Sequence, residues 1–290
     1  MPFIIIVLAS CNSNNEVSDA YGNFEADDFI ISSESNGKLL FFDVEEGQQL
    51  EKGKPVGVVD TTDLILKRKQ LLAQKNAISS NITNIEAQIE VQEQQKKNLL
   101  VDKNRIENML KDAAATQKQL DDINGAIEVI DKQISSTKTK YASIRAEQEV
   151  VVAQMAQVEE SIQKCKIINP INGTVLVKYA EPNEITAFGK PLYKIADMNE
   201  LFLRVYVSGA QLPQIQLGQE VEVLIDENKK ENRHLKGSVS WISESAEFTP
   251  KIIQTKEERV NMVYAIKVRV KNDGRLKIGM PGEVNFKMNQ

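Results

Sequence analysis

The chain has 290 residues, a formal net charge of −5, 41% hydrophobic residues, 6% aromatic residues and 27% charged residues. That is room for two or three small domains, and the scarcity of aromatics beside abundant charge fits one long solvated element joined to small β units. No basic tract and no basic-aromatic interleaving gives a footing for nucleic acid, and no apolar run reaches the 18 residues of a membrane-spanning helix.

The first element is a short apolar run, Pro2 to Leu8, followed by Leu8-Ala9-Ser10-Cys11. It resembles the lipobox of bacterial lipoproteins, where small residues admit a signal peptidase and the acylated cysteine becomes the mature N-terminus. No Lys or Arg precedes the run, which a misassigned start codon explains. The alternative is a buried N-terminal strand with an incidental cysteine. On the lipoprotein reading 1–10 is a signal segment, Cys11 takes the lipid, and 11–28 is a polar tether to a membrane surface outside the cytoplasm. Cys165 is the other cysteine, so no disulfide is expected.

Next come two copies of one pattern, at 29–62 and 167–198. Setting Asn36-Gly37 over Asn172-Gly173 brings Gly53 onto Gly189, Pro55 onto Pro191, Val56 onto Leu192 and Val59 onto Ile195 without a gap. Glu46-Gly47 falls on Pro182-Asn183, both turn-forming pairs. Each copy reads as strand, turn, strand, Gly-x-Pro turn, strand. The predicted strands are Lys38 to Val44 with Val56 to Val59, and Thr174 to Tyr179 with Leu192 to Ile195. This is the pattern of the biotinyl/lipoyl carrier domain, a flattened sandwich of two quasi-equivalent halves. Carriers present a lysine at the turn between the halves. Here that turn, Asp60-Thr61-Thr62-Asp63, has none and opens into the segment at 63–166, so no biotin, lipoate or other cofactor is expected.

That segment has no proline, one glycine (Gly125) and one aromatic residue (Tyr141) between Leu64 and Cys165. Leu64, Leu71, Ile78, Ile85, Leu99 and Ile106 repeat every seven residues, broken only by Gln92, with Ile82, Ile89 and Leu110 at the companion position. Two further registers run from Leu120 to Ile162 and from Ile123 to Cys165, the first broken by Gln148 and the second by Thr137. A seven-residue apolar repeat lines the seam of a coiled coil. The phase is lost around Lys111 to Thr116, and Thr116 with Gln119 reads as a capping box opening a second helix. Two antiparallel helices follow, about 64–110 and 117–165, each roughly 70 Å long. A single continuous helix is the alternative. It is disfavoured because both ends of the segment must return to one small β domain.

The last section, 199–290, reads as a small β-barrel. Its predicted strands are Leu201 to Val207, Glu220 to Ile225, Gly237 to Ile242, Val263 to Val270 and Glu283 to Met288. Trp241 is expected in its core. His234, the sole histidine, is expected on a charged loop from Asn228 to Lys236, and Lys251 to Val260 on an exposed loop. One histidine without a cysteine or carboxylate constellation makes neither a zinc site nor a triad, so no metal and no catalytic residue is assigned.

Taken together, the expected fold is α+β and multidomain: a long α-helical hairpin inserted into a split lipoyl-like sandwich, then a β-barrel. This order resembles the HlyD-type membrane fusion proteins, the periplasmic adaptor subunits of tripartite efflux and secretion systems. The resemblance is most specific at Glu46-Gly47-Gln48 through Gly53, at Asn169 to Val175 and at Gly279-Met280-Pro281-Gly282. Phe248 to Lys251 and Gln254 to Arg259 look like the barrel of members that accompany ABC-type exporters. The resemblance implies a non-enzymatic, lipid-anchored periplasmic protein with an inner-membrane transporter and a TolC-like outer-membrane duct as partners. It also implies assembly as a hexamer. The family's hairpin tip carries an arginine, a leucine four residues on and a serine seven further. Arg105, Met109 and Thr116 fall at those spacings, with Leu110 beside the departing Met109. The plainer readings are a solvated helix charge for Arg105 and a helix cap for Thr116. An enzyme carrier subunit and a periplasmic coiled-coil chaperone or scaffold are the other function classes.

Overall fold

The computed structural model describes residues 18–228, 231–248 and 262–286. Cys11, the apolar run before it and the Lys251 to Val260 segment lie outside the described residues. In chain order, β1 (Ala20–Glu25) precedes β2 (Asp28–Ser32), β3 (Gly37–Phe42), β4 (Gln49–Leu50) and β5 (Pro55–Val59). The helices α1 (Thr62–Lys111) and α2 (Gln117–Lys164) follow, then β6 (Lys166–Ile168), β7 (Gly173–Lys178), β8 (Ile185–Thr186) and β9 (Pro191–Ala196). The remainder is β10 (Glu200–Ser208), β11 (Glu220–Asp226), β12 (Asn232–Ile242), β13 (Glu247–Phe248), β14 (Met262–Lys271) and β15 (Pro281–Asn285).

The sandwich consists of two four-stranded sheets, ordered β2-β9-β7-β4 and β6-β5-β3-β8. Each sheet takes two strands from the first half-motif and two from the second. The internal repeat is visible in individual bonds. Gly53 N donates to Asn169 O at 2.7 Å and Gly189 N to Ser33 O at 2.8 Å, while Gly47 N donates to Val175 O at 2.8 Å and Asn183 N to Leu39 O at 2.7 Å. The left-handed turn positions also correspond: Gly47 has φ 82 and Asn183 φ 73. Asparagine is among the few side chains that tolerate that region. Leu39, Val56 and Val59 from the first half pack with Leu192, Tyr193 and Ile195 from the second, all fully buried. Neither half can close a core alone, so the chain leaving at Asp60 must come back at Lys166.

α1 and α2 form the antiparallel hairpin. Leu71, Ile78 and Ile85 of α1 and Ile130, Ile134, Val151 and Ile162 of α2 are its buried seam. Cys165 closes α2 and is only 1% exposed. It packs in the sandwich core, so this last seam position belongs to the β unit. Its thiol donates to Ser161 O at 3.3 Å.

The barrel closes through β10-β1-β15-β11-β12-β14, with β10 also paired to β14 and β13 lying against β14. Phe24, Leu201, Leu203, Val205, Val221, Val223 and Val268 fill it. Three expectations change here. Ala20–Glu25, placed in the polar tether, is a barrel strand bonded on both sides, to β10 and β15. A Cβ at Gly22 would stand 1.7 Å from the Arg204 carbonyl oxygen, so this close approach of β1 to β10 requires glycine. His234 and Lys236 are not on a loop but in β12, where His234 pairs with Leu224 and its Nδ1 lies 2.8 Å from Glu222. Trp241 is not a core residue: a register shift between Val239 and Trp241 turns it outward, leaving it 41% exposed.

Candidate functional site

The free end of the hairpin is the site to which the sequence assigns contacts. α1 has 50 residues and so reaches about 75 Å from the sandwich. Its last turn closes with Ala113 N donating to Leu110 O at 3.1 Å and Ala114 N to Met109 O at 2.8 Å. These bonds satisfy carbonyls that a helix end leaves free. Ala113 takes φ 54, a left-handed conformation for which alanine has no preference. Nothing in its residue type announces this turn.

Thr116 caps α2. Its backbone N–H donates to Gln119 Oε1 at 2.8 Å, and its hydroxyl accepts from Gln119 N at 3.4 Å and donates to Gln119 Oε1 at 3.1 Å. The capping box is therefore complete, and the hydroxyl is already engaged within the tip. Arg105 is a surface charge, with its side chain 69% exposed and Asp102 3.4 Å away on the preceding turn. Met109 lies four residues on, on the same helix face, and is 41% exposed. Leu110 differs from it: it is half-buried at a seam position. The four residues thus divide into an outward pair, Arg105 and Met109, and a pair that holds the turn, the half-buried Leu110 and the exposed cap Thr116. The outward pair offers a donor and an apolar knob to another surface.

Below the tip, interhelical pairs climb the hairpin: Arg68 with Glu159 at 3.1 Å, Tyr141 Oη with Glu86 at 3.0 Å and Lys138 with Glu93 at 2.9 Å. The Lys138 hydrogen bond holds the Glu93 carboxyl below the usual range, and the Arg68 hydrogen bond does the same for Glu159. These solvated pairs select the antiparallel register more than they add stability. At the base, Tyr193 donates from its hydroxyl to Asn169 Oδ1 at 3.0 Å, and Asn169 Nδ2 donates to Glu51 O at 2.9 Å. This buried polar knot, invisible in the sequence, fastens the strand on which the returning helix re-enters the sandwich. Among the described residues no helix is long and apolar enough to cross a membrane, and no group of three His, Cys, Asp or Glu could hold a metal ion.

No family model matches the chain. The UPF0194 membrane protein of Yersinia enterocolitica is 25% identical over 291 residues, spanning 92% of this chain and 88% of that protein. A UPF0194 membrane protein of Acidithiobacillus ferridurans is 25% identical over 293 residues, spanning 92% and 86%. Among solved structures, MacA from Actinobacillus actinomycetemcomitans superposes with a TM-score of 0.57 at 18% identity, over 92% of this chain and 78% of that one. The membrane fusion protein Spr0693 of Streptococcus pneumoniae gives 0.54 at 16% identity, over 93% and 98%. The likeness runs along nearly the whole chain, and the fold of this protein is that of the membrane fusion proteins, as its HlyD-type resemblance implies.

Proposed function

We propose that this protein is a non-enzymatic periplasmic adaptor, held to the membrane by a lipid on Cys11. It links an inner-membrane transporter of the ABC type to a TolC-like outer-membrane duct and assembles as a homo-hexamer. The observation that supports this most is the path of the chain. A hairpin leaves one β unit and returns to it, so its free end stands about 75 Å away with Arg105 and Met109 facing outward. Such a hairpin transmits position rather than chemistry. In this reading the guanidinium of Arg105 makes charge-assisted bonds to the duct and Met109 packs beside it, with Thr116 and Leu110 setting the turn. The barrel faces the transporter.

A photocrosslinker in place of the exposed Asn104, with Arg105 kept, tests the reading in cells. Capture of an outer-membrane duct is the expected result. Capture of a varied set of client proteins would point to a chaperone instead. An intact mass carrying biotin or lipoate would make the chain a carrier subunit.

A further inference from the structure

We propose that the hairpin is built in two sections, a base that stays closed and a distal arm that opens and recloses independently. The boundary lies between the polar layer of Gln92 and Thr137 and the Lys96–Asp131 pair nearer the tip. Three independent observations place it there. First, two of the three breaks in the apolar repeat meet: the Glu93–Lys138 ion pair at 2.9 Å sets Gln92 opposite the turn that carries Thr137. Thr137 is 8% exposed, yet its hydroxyl donates to Gln133 O within its own helix, at 3.0 Å. The Gln92 side-chain oxygen is buried with no hydrogen-bond partner. The layer thus interrupts the seam without forming a bond across it, which lowers the cost of separating the helices there.

Second, full burial ends just tipward of this layer, where Ile134 and Ile130 are still only 8% and 6% exposed. Among the described residues the last buried residue of α1 is Ile85 and the first of α2 is Ile130. Toward the tip, Leu99, Ile106, Leu110, Leu120, Ile123 and Ile127 are only half-buried. Third, the polar contacts between the helices end with Lys96 and Asp131, 2.6 Å apart. Beyond them the described pairs stay within one helix, as Lys103 with Glu107 and Gln117 with Asp121 do. Local opening follows sparse burial and solvated contacts, and both describe the arm. An arm that opens lets the tip adapt its two helix ends to a partner's coiled coil while the base keeps its reach. The inference concerns the isolated chain and stands whether or not the partner is a duct.

Hydrogen exchange read by mass spectrometry on the full chain tests it. Amides in 97–111 and 117–130 are expected to exchange at least about tenfold faster than those in 71–89 and 141–162. The double variant Gln92→Leu with Thr137→Val makes the seam continuously apolar. It is expected to move the boundary toward the tip, slowing exchange in 93–99 and 127–134 by about tenfold or more. Uniform protection along the wild-type hairpin would overturn the proposal, and so would a boundary that the double variant leaves in place. Helical circular dichroism of the variant, expected to match wild type, shows that the shift is not a change of fold.

Discussion

The hairpin and the sandwich are joined at both ends, yet they are held together in opposite ways. The backbone hydrogen bonds of α1 and α2 are local, and the helices meet along one narrow seam with solvated polar pairs beside it. The sandwich depends on distant pairing: each of its sheets joins two strands of one half of the repeat to two of the other, and the whole helical segment separates the halves. The difference shows where each region is vulnerable. A hairpin defect spreads along one line and leaves the β units standing, whereas a sandwich defect loosens the root on which the hairpin is mounted.

The largest expected effect attacks the seam. Ile127→Asp combined with Ile134→Asp places charge at a half-buried and a buried position, at a cost of several kcal/mol. Helical circular dichroism should fall and export should cease while the barrel keeps its exchange protection. If export persists in that double variant, the hairpin is not the working part. Leu192→Ala is the complementary attack, removing a fully buried side chain shared by both halves. A loss of about 2–5 kcal/mol in urea unfolding is expected, with faster proteolysis at the hairpin root. An unchanged root would mean the two regions are less coupled than the topology demands.

Tyr193 sharpens the contrast through pH. Burial pushes its hydroxyl up from 10.0 to about 12. The unfolded chain loses that proton first, so the contribution is complete below about pH 10 and fades as pH rises toward 12. Two pH units correspond to roughly 2–3 kcal/mol. Tyr193→Phe should lose about 1–2 kcal/mol at neutral pH, because Asn169 Oδ1 is left unpaired. Over that alkaline window its stability should fall less steeply than wild type, as urea melts at successive pH values will report. Smaller again is Thr116→Ala, which removes a cap worth about 1 kcal/mol and should lower the melting temperature with little change in helicity. Arg105→Ala should alter stability by less than about 0.5 kcal/mol, yet it should abolish crosslinking from the tip. A large stability loss there would make Arg105 a fold residue.

The helices, their ends within two residues and the capping box were legible in advance, because a helix is made by neighbours along the chain and its seam repeats every seven residues. The half-motif repeat was legible for a related reason: turns at Gly53 and Gly189 demand the same backbone wherever they occur. The tip divides along the same line. The Thr116 cap is a local motif, whereas the outward aim of Met109 against the inward position of Leu110 depends on where α2 lies.

Tertiary structure alone decided the rest. Ala20–Glu25 looks like tether until β10 and β15 bond it from both sides, and Asn232 to Lys236 looks like a loop until β11 pairs with it. Trp241 looks like core until a bulge turns it outward. The Asn169–Tyr193 knot joins residues 24 apart and appears only after the returning helix has delivered them to one sandwich. Strand assignment and strand facing are settled by partners far away in sequence, so composition can suggest them but only the closed fold can select them.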